Sequence, residues 1–162
     1  MATTVTAATM TDTITESITL NGSDQGSTNT FTVANVNEVF KRIVTCEDDT
    51  DVTVATFRSS TSTSDGAVDV ENVVYMRVTN LDDANPVNLS LQIDVGEDNS
   101  AADQSCTILL QAGKSFVMGT PSDGLAVDDD AATIVTSLYN LESLLVDPLS
   151  EAVDVEVFIA CT

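Results

Sequence analysis

The chain has 162 residues, 26 Asp and Glu against 5 Lys and Arg, and no His, for a formal net charge of −21. Duplex nucleic acid and anionic lipid both need clustered cations, so neither is expected as a partner. The charge instead favours solubility and self-repulsion in low salt, and it suits salty surroundings where screening is strong. A chain of this length suggests one domain able to bury its own core, and a 43% hydrophobic content argues against general disorder.

In chain order, residues 1–13 are mostly Thr and Ala without apolar periodicity, and they read as a flexible N-terminal arm. They lack the basic region and apolar stretch of a signal peptide, and no apolar run reaches membrane-spanning length. The expectation is therefore a chain made and assembled in a cytoplasm, with no membrane partner. From Ile14 onward the pattern has a period of two, the signature of half-buried strands. Ile14, Ile18 and Leu20 begin it, and Asn21-Gly22-Ser23-Asp24 follows as a turn. Val52 and Val54, then Val74, Met76 and Val78, continue the alternation, with a turn cluster from Ser59 to Gly66 between them.

The clearest strand is Pro86 to Val95. Val87, Leu89, Leu91, Ile93 and Val95 face one way and Asn88, Ser90, Gln92 and Asp94 the other, which no helix would produce. Ile108 with Leu110, and Phe116 with Met118, flank the tetrapeptide Ala112-Gly113-Lys114-Ser115. Gly96 to Gln104 and Thr120 to Asp130 read as longer acidic loops. Leu138, Leu141 and Leu145 fit a helix, while Leu141, Ser143 and Leu145 fit a strand; a strand or short helix ending before Pro148 is expected. Val153, Val155, Val157 and Ile159 close the chain as a second clear strand, packed against the face of Val87 to Val95. No linker and no internal repeat divides the sequence. Together these features predict an all-β fold: an antiparallel β-sandwich, jelly-roll or immunoglobulin-like, over residues 14–162, with the arm over 1–13.

The chemistry available is narrow. Without His there is no Ser-His-Asp or Cys-His arrangement and no usual zinc set. Ala112-Gly113-Lys114-Ser115 resembles the end of a phosphate-binding loop, but Ile108 stands where the earlier Gly is required, so a tight hairpin turn is the better reading. Carboxylate pairs are abundant, yet glycoside cleavage needs a cleft and stacking rings, and aromatics are 4% with no Trp. The acidic clusters Glu47-Asp48-Asp49-Thr50-Asp51, Glu97-Asp98-Asn99 and Asp128-Asp129-Asp130 do not match a twelve-residue calcium loop and read as solvated loops. Cys46, Cys106 and Cys161, odd in number and scattered, read as reduced, small hydrophobes. No catalytic residue, cofactor or metal is expected. The rare cations Lys41, Arg42, Arg58 and Arg77 remain, within or beside strands. Their default is pairing with a local carboxylate; the sharper reading is a subunit contact.

Four stretches are similar to a group of virion structural proteins from marine tailed phages, particularly those of cyanobacteria. They are Val39-Phe-Lys-Arg-Ile-Val-Thr45, Val74-Tyr-Met-Arg-Val-Thr-Asn-Leu-Asp-Asp-Ala-Asn-Pro-Val-Asn-Leu89, Leu110-Gln-Ala-Gly-Lys-Ser-Phe-Val-Met118 and Val153-Asp-Val-Glu-Val-Phe-Ile-Ala-Cys-Thr162. The resemblance brings no catalytic residues. It implies a particle component, in the head or in the neck or tail. A compact acidic domain with an N-terminal arm suits a capsid decoration or cement protein on the outer head shell, a homo-oligomer partnered by the major capsid protein or other virion subunits; this is the leading reading. A neck or tail component, such as an adaptor or fibre-attachment protein, is the alternative. A carbohydrate-binding β-sandwich module is a third reading from another class.

Overall fold

A computed structural model describes residues 4–59, 66–96, 102–128 and 134–162. The chain divides into two compact units, one of residues up to Glu38 together with Thr162, the other of Val39–Cys161. The described residues contain no α-helix. They form strands β1 (Ala8–Glu16), β2 (Thr19–Leu20), β3 (Ser23–Asp24), β4 (Ser27–Val36), β5 (Glu38–Cys46), β6 (Val52–Arg58), β7 (Val68–Asp69), β8 (Val73–Asn80), β9 (Val87–Asp94), β10 (Gln104–Leu110), β11 (Ser115–Met118), β12 (Asn140–Pro148) and β13 (Val153–Cys161).

In the N-terminal unit, β1 and β4 pair antiparallel, and β2 and β3 form a small hairpin between them. Asn21 (φ 50°) and Gly22 (φ 80°) make the two-residue turn between Leu20 and Ser23, where both central positions need a left-handed backbone. One face of the ribbon is a ladder of threonines: Thr11, Thr13 and Thr15 lie opposite Thr32, Thr30 and Thr28. The hydroxyls of Thr13 and Thr30 are 3.2 Å apart. Near Ala8 one extra residue stands on β4, and Asn35 (φ 63°) supplies the left-handed geometry that such a bulge requires. Two expectations are corrected here. Residues 8–13 are strand, not an arm, because Thr alternation supports a β ladder as well as apolar alternation does. The units divide beside Glu38, not at Thr13.

The second unit is an antiparallel sandwich. One sheet has the order β10-β9-β12-β6-β7, with β7 joined parallel to β6, and the other β11-β8-β13-β5. The connections β5 to β6, β8 to β9, β10 to β11 and β12 to β13 each cross between the sheets. Val87, Leu89 and Leu91 of β9 and Val153, Val155, Val157 and Ile159 of β13 share one buried cluster with Phe57, Met76, Val78, Leu141, Leu144 and Val146. Val95 lies past the end of β9 and is only half-buried, which shortens the expected core face by one residue.

Three irregularities displaced the sequence reading. In β12, Leu141 pairs with Ile93 and Ser143 with Gln92, so Glu142 is an extra residue at a bulge. That residue puts Leu141, Leu144 and Val146 on the core side, so neither the helical set Leu138, Leu141 and Leu145 nor the strand set Leu141, Ser143 and Leu145 matches the buried face. In β8, Val74 is extra against β13, so Val73, not Val74, takes the core side beside Met76 and Val78. The turn at Gly113 (φ 67°) has the expected backbone, with the Lys114 amide donating to the Gln111 carbonyl at 3.1 Å, but it carries the chain from one sheet to the other and closes no hairpin.

Leu91, 3% exposed between the sheets, reports on this core. Leu91→Ala is expected to cost about 2–5 kcal/mol in denaturant unfolding. A loss below about 1 kcal/mol would place β9 outside the core.

Candidate functional site

The outer face of the β11-β8-β13-β5 sheet carries a row of polar side chains crossing all four strands. Thr79 lies opposite Ser115 on one side and Glu156 on the other. The Ser115 and Thr79 hydroxyls are 2.8 Å apart, and Arg77 Nη1 donates to Thr79 Oγ1. Arg77 reaches diagonally to Glu156, Nη2 to Oε1 at 2.5 Å, and Lys41 Nζ lies 3.2 Å from Glu156 Oε2. Thr45 Oγ1 donates to Asp154 Oδ1 at 2.6 Å. Alternation along β13 makes this row: with Val153, Val155 and Val157 inward, Asp154 and Glu156 must point out. The Arg77 hydrogen bond holds the Glu156 carboxyl below the usual carboxylate range; burial opposes it, and the Lys41 ammonium adds to the lowering.

A second cluster lies in the other sheet. The bulge at Glu142 places its carboxyl where Arg58 Nη1 meets it at 3.2 Å, and Arg58 also donates to the Phe57 carbonyl at 2.8 Å. Asp94 lies opposite Asn140 in the ladder, and Asn140 Oδ1 accepts the Asp123 amide at 2.8 Å. Asp94, Asn140 and Glu142 are all buried. Burial pushes the Glu142 carboxyl above the usual range; Arg58 pulls it down, and Asp94 and Asp103 push it up. The space beside these groups is about 10 Å³, about the room of one water. The cluster braces the bulge.

The polar phase of β9 builds a feature that the sequence reading left unexamined. Asn88, Ser90 and Gln92 line a groove of about 210 Å³ on the outer face of their sheet, with Asp51, Thr107, Leu145 and Asp147. Ser90 Oγ accepts from Gln92 Nε2 at 2.7 Å and from Thr107 Oγ1 at 3.2 Å. The alternation of Asn88, Ser90 and Gln92 was its signal in the sequence.

The four cations therefore do not form one patch. Lys41 and Arg77 meet at Glu156, Arg58 pairs with Glu142 in the other sheet, and Arg42 is exposed with no ion pair to any described residue. No disulfide joins any two of Cys46, Cys106 and Cys161. Burial, then the charge of Asp154, pushes the Cys46 thiol up to about 11, so it stays protonated at neutral pH. Among the described residues no group of three or more His, Cys, Asp or Glu is placed to hold a metal ion. Glu47 to Asp51 is an exposed turn in which Asp48 Oδ1 accepts the Asp49 amide at 3.0 Å. Glu97-Asp98-Asn99 lies outside the described residues, as do Asp129 and Asp130. Among the described residues no helix is long and apolar enough to cross a membrane. No known family model, curated protein or solved structure matches the chain.

The two glutamates give opposite pH signatures. Glu156 has a depressed folded pKa, so its contribution is present above the unfolded value and lost as pH falls through the folded one. Glu142 has a raised folded pKa, so its contribution is complete below the unfolded value and lost as pH rises through the folded one. Denaturant unfolding at several pH values should show Glu156→Gln costing roughly 1 kcal/mol at neutral pH and less in acid. Glu142→Gln should gain on wild type as pH rises from about 4 to 7. Parallel pH curves for the two variants would contradict both assignments.

Proposed function

We propose that this chain is a structural subunit of a tailed-phage particle, a capsid decoration or cement protein that binds and braces the outer head shell as a homo-oligomer. It is made and assembled in the host cytoplasm. The observation that carries this reading is the β1–β4 ribbon. A two-stranded ribbon is marginally stable by itself in water. This one leaves Ile14 and Phe31 exposed, as the segment joining its strands leaves Ile18 and Leu20, and β1 and β4 each pair with no further strand among the described residues. An extended element with open edges adds backbone hydrogen bonds along a neighbouring chain, and that gain offsets the entropy of ordering it. Attachment to the neighbouring chain falls to this ribbon.

The second unit supports the same reading. Among its described residues two of three ion pairs meet on an open sheet face and the third braces a bulge, while a groove lies across a sheet. Such a body presents rigid surfaces to a neighbour.

Copy number in purified particles is the test. A head decoration protein is expected at hundreds of copies per particle by quantitative mass spectrometry. About six or twelve copies would identify a neck or tail ring instead. Absence from purified particles would overturn the particle reading.

A further inference from the structure

Strand β5 ends the four-stranded sheet: it follows β13 in the sheet order and has no further strand beyond it among the described residues. It is nine residues long and contains no Pro. Exposed edges of this kind are templates for strand addition unless something blunts them. Phe40 and Val44 pack against the core and Cys46 is buried, so the even-numbered residues take the inner side. Lys41 and Thr45 reach Glu156 and Asp154 on the outer face. Val39 and Ile43 are 53% and 60% exposed on that outer face.

On the inner side, Glu38 and Arg42 are both exposed, and neither makes an ion pair with a described residue. They stand four apart with Phe40 midway. That spacing is self-complementary. In an antiparallel pair related by a two-fold axis at Phe40, Arg42 of each copy lies directly opposite Glu38 of the other. Lys41 lies opposite Val39, where its aliphatic stem covers an exposed apolar side chain. Residues directly opposite in an antiparallel ladder are close enough for such pairs to interact, and like charges there repel. A two-fold axis at Val39 sets Glu38 against Phe40 and Arg42 against Val36 and makes no charge pair, and the next three registers in the other direction are worse. A two-fold axis at Lys41 opposes two lysines, and one at Arg42 opposes two arginines. One at Ile43 sets Glu38 against Asp48.

We propose that β5 is a self-association edge, pairing antiparallel with β5 of a second copy about Phe40 and joining two four-stranded sheets into one of eight strands. Such a contact is isologous and closes at two copies. The proposal deepens the homo-oligomer part of the proposed function and rests on that reading, while its test is independent of particles.

The test is a charge swap, read by sedimentation velocity of the full chain over a micromolar concentration series. Moderate salt screens the repulsion between two chains of charge −21. Wild type is expected to be a reversible dimer. Arg42→Glu and Glu38→Arg should each weaken it roughly tenfold, because two attractive cross-strand pairs become two repulsive ones. The double variant Glu38→Arg/Arg42→Glu should restore the wild-type constant. Both positions are exposed, and circular dichroism confirms that each variant folds. A monomeric wild type, a species of odd copy number, single variants without effect, or a double variant that fails to restore pairing would each overturn the proposal. A monomer that still incorporates into particles overturns the β5 contact alone; a dimer absent from particles overturns the particle reading alone.

Discussion

Val87, Leu89 and Leu91 on β9 and Val153, Val155, Val157 and Ile159 on β13 belong to different sheets, and each row is buried in the same cluster. Apolar area leaves water only when the two sheets face each other, and that requirement sets the phase of every strand between them. Once Val155 points inward, Glu156 must point outward, beside Arg77 and Lys41. Once Leu89 and Leu91 point inward, Ser90 becomes the floor of a polar groove. The surface chemistry of the second unit is the complement of its core.

Bulges relax that rule where polar groups need other positions. At Glu142 one extra residue lets two buried leucines stay on the core side while a carboxyl meets Arg58. Burying a charge is costly unless it is paired and hydrogen-bonded, and the upward shift of Glu142 shows that Arg58 offsets only part of that cost. The Glu156 row is less buried and has two cations, so its carboxylate is favoured. Of the five cations these pairings leave Arg42 and Lys114 exposed with no ion pair to a described residue, and Arg42 stands on the edge strand β5.

The all-β class and the two best strands were legible because alternation is a local signal: β9 and β13 each bury four residues in strict period two. What local pattern missed has physical causes. The extra residues at Val74 and Glu142 shift the phase by one, and only the partner strand reveals such a shift. The β1–β4 ribbon shows threonines where an apolar stripe was sought. Ion-pair partners were hidden by distance along the chain, since Arg58 and Glu142 are 84 residues apart and Arg77 and Glu156 are 79. The rarity of cations marked the right residues; the sheet order decided which of them share a carboxylate. The groove over β9 needed the third dimension, because its lining comes from three strands and the turn before β6.

Native-state hydrogen exchange tests most directly the claim that facing apolar rows hold the second unit while the ribbon presents open edges. Amides of the central strands β8, β9, β12 and β13 should exchange slowest, at the free energy of global unfolding, and those of β1 and β4 should exchange through far cheaper local opening. Protection in β1 and β4 equal to that in β9 and β13, or fast exchange across β9, would contradict it.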